Sequence, residues 1–391
     1  SEATSNFISS DITATGGAIS SFASSSSSVY TATFTPAADG LTSVNIAAGA
    51  FTDASSNNNT AAAEFSWTFN GTPASISSVA LASDNATIAV TMNKAVYSTG
   101  GGSGALETTD FSMAIAGGSA SLSSATPSSI SASGNVYTLG IGVTGTPDGS
   151  EVITVNPVSG SIYDAYGNIS TNSQSNNTAT LNDQLAPTVT ITAVSSGGDA
   201  VSSGSTTNDA SIILTLTASE STTNLASADV TVSGGSLSSF SGSGASYNVT
   251  FTPSASGATT VDVASGTFTD AAGNNNTAAT QFAWTYDGTA PTISSVSLAA
   301  DNANIAVTMS EAVFNTANGS GALEAADFAL SISGGSATLS SSTPSSISSS
   351  GNIYTLGIGI TGTPDGSEVL TVAPVATSIY DAYGNASSTS Q

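Results

Sequence analysis

The chain has 391 residues, enough for two to four β domains, and sets 26 acidic side chains against one Lys, with no Arg, no His and no Cys, for a formal charge of −25. Without His or Cys, no Ser-His-Asp or Cys-His nucleophile and no imidazole or thiolate zinc site can be assembled. With Lys94 as the sole cationic side chain, phosphates and nucleic-acid backbones find no counter-charge, and an anionic membrane surface repels the chain.

The chain is nevertheless 39% hydrophobic, with 13 Phe, 10 Tyr and 2 Trp, which predicts folded cores rather than disorder. No uninterrupted run of 18 apolar residues occurs, so no membrane-spanning helix and no membrane insertion of this segment are expected. The opening SEATSNF, lacking an initiator Met and a signal peptide, reads as the start of a mature or excised segment.

From the N-terminus onward the chain reads as four domains in the order A-B-A-B. Residues 1–72 form an A domain, 73–185 a B domain, 186–289 a second A domain and 290–391 a second B domain. The A-B pair repeats every 217 residues: Trp67 returns as Trp284, Met92 as Met309 and Tyr163 as Tyr380. Over Ser133 to Asn168 against Ser350 to Asn385, 30 of 36 positions are identical, and half of the differences exchange one aliphatic residue for another.

A weaker repeat lies within each pair. The string DAxxN occurs from Asp53, Asp164, Asp270 and Asp381. Upstream of these copies stand Ser1-Glu2, Asn93-Lys94, Ser219-Glu220 and Ser310-Glu311, then the acids Asp11, Asp110, Asp229 and Asp327, each followed by a Gly-Gly pair. Short links carry the boundary prolines Pro73, Pro187 and Pro291 and predict an extended rod. The first A domain lacks the counterpart of Ala186 to Ala218, and Gln391 aligns with Gln174. This suggests a piece of a longer repetitive protein or, alternatively, strands donated by a neighbouring subunit.

Apolar residues recur at a spacing of two. Tyr247, Val249 and Phe251 share a face, as do Phe282, Trp284 and Tyr286, and Ile212, Leu214 and Leu216. Trp67 and Trp284 are expected in cores on this pattern. TPDGS, PAADG and the Gly-Gly pairs supply turns, and no long amphipathic helical pattern occurs. Short alternating strands with frequent turns predict an all-β fold of antiparallel β-sandwiches.

The segments FTDAAGNNNTAATQFAWTYDGTAPT from Phe268 and SESTTNLASADVTVSGGSLSSF from Ser219 resemble bacterial Ig-like repeats of large secreted surface adhesins. TMSEAVFNTANGSGALEAADFALSISGG from Thr308 resembles a second, related Ig-like type. The resemblance implies tandem Ig-like domains in an extracellular stalk that projects a distant binding tip, with calcium at some junctions. The tip's ligand is left open.

Carboxylates are the one plentiful functional group, and hard oxygen ligands suit Ca²⁺. Ig topology is expected to gather Asp183, Glu220, Asp229 and Asp270 near one junction and Asp287, Glu311, Asp327 and Asp381 near the next. At the first junction Asn70 stands where Asp287 does and Lys94 where Glu311 does, so Lys94 is expected to neutralise Asp110 or Asp164 in place of a metal. The competing reading is that the DAxxN acids cap their own turns through Asx hydrogen bonds; one residue can serve both roles. Enzymatic use of paired carboxylates is disfavoured, because acids repeated at turns of four similar domains look like scaffold. Two alternatives to a stalk remain open: a self-assembling fibre subunit built by strand complementation, and a module whose loops or Ser/Thr faces bind glycan or ice. The expected partners are thus cell-surface ligands, neighbouring repeats or subunits, and no nucleic acid.

Overall fold

The computed structural model describes residues 1–390. It divides into two compact units, Ser1–Leu185 and Ala186–Gln391, each spanning one A segment and one B segment of the sequence repeat. Among the described residues the named strands pair antiparallel, save Thr206–Thr207, which runs parallel to its neighbour Phe282–Tyr286; four short 3₁₀ turns accompany them, and no helix is long and apolar enough to cross a membrane. The expected all-β fold of tandem Ig-like antiparallel sandwiches is observed.

The second A domain shows what the sequence pattern builds. One four-stranded sheet orders Ala200–Val201, Val189–Ser195, Ile212–Thr222 and Gly235–Pro253; the other orders Thr206–Thr207, Phe282–Tyr286, Gly257–Val263 and Val230–Ser233. Ile212, Leu214 and Leu216 alternate inward from one sheet and meet Phe282 and Trp284 from the other in one buried cluster. Between them Thr215 and the partly exposed Ile213 take the outer face, as alternation along a half-buried strand requires. Thr259, buried between them, is satisfied because its hydroxyl donates to the Trp284 carbonyl oxygen at 2.7 Å.

The first A domain keeps only part of this frame. Ile12–Thr15, Gly40–Ile46 and Phe65–Phe69 form one sheet, and Gly17–Ser26 pairs with Val29–Pro36 in a hairpin. Nothing among the described residues fills the positions of Val189–Ser195 and the N-terminal part of Ile212–Thr222. The inner face is therefore uncovered: Phe65 is 67% exposed where its counterpart Phe282 is 4% exposed, and Trp67 is only half-buried. Trp67, expected in a core, is thus half-buried among the described residues. Alternation tells which face a side chain takes, but not whether a second sheet covers that face. The aromatics pack on one another instead, Phe34 against Trp67 with ring centres 4.8 Å apart and Phe7 against Phe22, Tyr30 and Phe51.

The B domains are closely alike. Thr87–Met92 and Asn304–Met309 each bury every second residue at the centre of a four-stranded sheet. Each opposite sheet pairs a Phe-led strand, Phe111–Ala116 or Phe328–Ser333, with Val152–Pro157 or Val369–Pro374. A carboxylate braces this second sheet. Fully buried Glu151 accepts hydrogen bonds from the backbone N–H groups of Ser119, Ala120 and Asp148 at 2.9–3.1 Å, and Glu368 takes the same role for Ser336, Ala337 and Asp365. Gly118 and Gly335, both at φ +54°, are required there, because a Cβ would collide with the bracing carboxylate.

Candidate cation site

Each DAxGN turn is closed by its own Asp. In the second B domain, Asp381 Oδ1 accepts the backbone N–H of Tyr383 and of Asn385, both at 2.8 Å, while Oδ2 accepts the Asn385 side-chain amide at 2.7 Å. Gly384 takes the left-handed conformation, φ +92°, that lets the chain double back. Asp164 and Asn168 repeat this arrangement. In the second A domain Asp270 accepts the backbone and side-chain N–H groups of Asn274. The Asx-turn reading is thus what these side chains do locally.

Turn closure leaves Asp381 fully buried, and two more acids approach it. Carboxylate oxygens of Asp287, Glu311 and Asp381 all lie within 4.8 Å of one another. Asp287 ends the link between the A and B domains, where its backbone N–H donates to Thr207 and its carbonyl oxygen accepts the Asn385 side-chain amide at 2.9 Å. The same asparagine therefore holds both the turn acid and the link. Burial, then the neighbouring Asp381 and Asp287 carboxylates, push the Glu311 carboxyl above its ordinary value. Three hard oxygen donors so placed fit a divalent cation such as Ca²⁺.

The equivalent position in the first unit carries its own cation. Lys94 Nζ donates to the Thr72 carbonyl oxygen at 2.7 Å and lies 3.5 Å from Asp164 Oδ2, with Asp164 fully buried. Asn168 donates to the Asn70 carbonyl oxygen at 3.0 Å, as Asn385 does to Asp287. Of the two acids expected to meet Lys94, the structure pairs it with Asp164. Burial works against ionisation of Asp164, but hydrogen bonds from Asn168, Tyr166 and Lys94 outweigh it and hold the carboxyl below its ordinary value. Asp39 is likewise held below its ordinary value, first by the Thr72 side chain and then by the Gly71 N–H at 2.6 Å, with Lys94 adding least; its counterpart in the second unit is Ser256.

Two of the expected members, Asp229 and Asp327, fall elsewhere. Asp229 and Asp327 lie outside the acid clusters and instead close the 3₁₀ turns that open Val230–Ser233 and Phe328–Ser333, accepting the N–H of Ala226 at 2.8 Å and of Glu324 at 2.7 Å. Asp11 and Asp110 do the same for Ile8 and Glu107. Glu220 lies on Ile212–Thr222 with an oxygen within 4.8 Å of Asp270, which is buried. Asp183 belongs to the first unit, where its Oδ1 accepts the Leu185 N–H at 2.9 Å. The bridging role of Asn168 and Asn385 was not assigned from sequence, although both stand in the repeated motif.

Residues 1–70 and 183–286 match the family model described as bacterial Ig-like domain. Those segments are similar to bacterial Ig-like domains. The match takes in both A segments, including Trp67, Trp284 and the Asp53 and Asp270 turns, while residues 71–182 and 287–391 lie outside it. No curated protein matches the chain. Among solved structures, the chain is similar to invasin, described as a bacterial integrin-binding protein, at 14% identity and a TM-score of 0.32, covering 89% of this chain and 67% of that one. It is also similar to the I9-I11 tandem of titin, at 9% identity and a TM-score of 0.21, covering 75% of this chain and 89% of that one.

Asp164 in the first unit and Glu311 in the second respond oppositely to pH. Asp164, with its carboxyl depressed, contributes stability above the unfolded carboxylate range of about pH 4 and loses it only as pH falls through the lower folded value. Glu311 is raised, so the metal-free folded chain binds its proton more tightly than the unfolded chain, and stability falls as pH rises through the window between the two values. Denaturant melts of the calcium-free chain from pH 7 down to pH 5 are expected to show that relief, and Glu311→Gln to flatten it. A pH slope identical in the variant would contradict the assignment.

Proposed function

We propose that this chain is part of the stalk of a secreted bacterial surface adhesin or filament, with a mechanical rather than catalytic role. The observation that carries the reading is the tandem repetition of bacterial Ig-like domains in a chain without His, Cys or Arg. Each sandwich resists unfolding by burying its alternating apolar face, worth about 25 cal/mol per Å² before chain entropy is subtracted. Links held into the following domain, as Asn385 holds Asp287, limit hinge motion within an A-B pair.

Calcium at Asp287, Glu311 and Asp381 would tie the link to two loops of the B domain and relieve the repulsion among three carboxylates. Lys94 supports this reading from within the chain: where the acidic pattern loses two members, an ammonium group takes the place of the proposed metal. The location that follows is the cell surface or extracellular space, with recognition of a ligand left to another part of the assembly. Glycan-array and ice-affinity assays on the isolated chain are expected to show no specific retention. Saturable binding to either would replace the stalk with a recognition module.

A further inference from the structure

The sequence holds two Asn-Gly dipeptides, Asn70-Gly71 and Asn318-Gly319. In such a pair the glycine nitrogen can close a five-membered ring on the asparagine side-chain carbonyl carbon, because no Cβ on the second residue obstructs its approach. The fold treats the two pairs in opposite ways. At the first, the Gly71 N–H donates to Asp39 Oδ1 at 2.6 Å, and the Asn70 carbonyl oxygen accepts the Asn168 side-chain amide at 3.0 Å. Ring closure there must break the Asp39 bond and turn a peptide that is held on both sides. Asn70 Oδ1 is also enclosed with no hydrogen-bond partner among the described residues, so no donor meets charge developing on it.

The second pair stands exposed in the loop 316–321. The Ser320 hydroxyl donates to Asn318 Oδ1 at 2.5 Å, and the Thr316 hydroxyl, 2.6 Å from the same oxygen, is shared with the Ser320 carbonyl oxygen. Thr99 and Ser103 set the same two hydroxyls 3.0 Å apart in the first B domain, but Gly101 occupies the place of Asn318. The Gly319 N–H makes a 3.2 Å bond to the Thr316 carbonyl oxygen, at the long end of the hydrogen-bond range and readily released. The DAYGN turn packs closely on this loop: a Cβ on Gly319 would stand 2.5 Å from the Ala382 carbonyl oxygen, and one on Gly384 2.6 Å from the Ala317 carbonyl oxygen.

We propose that Asn318 is a self-deamidating site, its side-chain amide activated by the Ser320 and Thr316 hydroxyls. Hydroxyl donors at Oδ1 draw electron density from Cγ and stabilise the anion that forms as the nucleophile adds, as an oxyanion hole does. The Gly319 nitrogen loses its proton to water and bonds to Cγ; the Cγ–Nδ2 bond breaks, and Nδ2 takes up a proton and leaves as ammonia. Water then opens the cyclic imide at either carbonyl. Attack at Cγ gives aspartate, and attack at the backbone carbonyl gives isoaspartate, with one extra methylene in the main chain. Both products add a negative charge to the loop, and isoaspartate also breaks its close fit against the DAYGN turn. The site stands independently of the calcium and stalk readings.

In the full chain incubated at neutral pH, mass spectrometry of digested aliquots is expected to find Asn318 converting at least about tenfold faster than Asn70, with the two rates converging in denaturant. Ser320→Ala is expected to slow Asn318 about tenfold in the folded chain and to leave Asn70 unchanged. Thr316→Val, which removes the second hydroxyl at similar volume, should slow it too, and each variant's own rate in denaturant controls for the change in local sequence. The proposal is overturned by equal rates at the two asparagines in the folded chain, by slower conversion of Asn318 folded than denatured, or by rates unmoved or raised in both variants.

Discussion

Trp284→Ala is expected to destabilise the second A domain by about 3–5 kcal/mol, whereas Trp67→Ala, at the equivalent position 217 residues earlier, is expected to cost about 1 kcal/mol or less. The side chains are identical and their strands pair alike, Thr259 opposite Trp284 and Thr42 opposite Trp67. The difference lies in what faces them. Trp284 is 1% exposed, packs in a cluster with Leu214, Leu216 and Phe251, and donates its indole N–H to Thr207 at 3.1 Å. Truncation there leaves a cavity and removes the indole's hydrogen bond to Thr207, whose hydroxyl keeps its bond to Asp209. Trp67 sits half-exposed beside Phe34 and Phe65, so its loss removes contacts with little cavity to create. Hydrogen exchange resolved by domain measures both penalties. It should also show Gly40–Ile46 exchanging faster than Gly257–Val263 in the unmodified chain, because local stability follows buried apolar contact. Equal penalties would mean that another surface covers the first A domain in solution.

The same pair shows where sequence reading succeeds and where it stops. The period-two pattern identified Ile212, Leu214, Leu216, Tyr247, Val249 and Phe251 as one inward face, because alternation across a pleated strand is a local property. It gave Trp67 the same standing as Trp284, because the presence of a facing sheet is not local. At the candidate site, the place of Lys94 among acids was legible from the broken repeat, though not the choice of Asp164 over Asp110, and the grouping of Asp287, Glu311 and Asp381 was legible as well. Asp229 and Asp327 were not separable from them, since an acid just before a strand can point at a neighbouring loop or cap its own turn, and spacing is the same either way. Glu151 and Glu368 left no recognised signal. A buried glutamate holding three backbone N–H groups is set by a turn and a Gly-Gly pair some thirty residues away in sequence, which meet only in the folded sheet.

Exchanging the charge at the two equivalent positions should exchange the calcium response. In the unmodified chain, calcium is expected to stabilise the second B domain by about 2.7 kcal/mol at a free concentration a hundred times the dissociation constant, through binding to the folded state alone. Glu311→Lys should remove one calcium equivalent from a calorimetric titration. In chelator it should also stabilise that domain by about 1 kcal/mol, because an ammonium group replaces the carboxylate that Asp381 and Asp287 repel. The reverse change is predicted to be far more damaging. Lys94→Glu strips buried Asp164 of its cation and adds a like charge beside it, with an expected cost of about 3–5 kcal/mol. Calcium should restore only part of that loss, since Asn70 stands where the second unit has Asp287 and the link therefore offers no third carboxylate. Calorimetric melts of the three proteins in calcium and in chelator decide the matter. An undiminished calcium stoichiometry in Glu311→Lys would leave Asp287, Glu311 and Asp381 as a turn cap with acidic neighbours, and Lys94 as an ordinary ion pair.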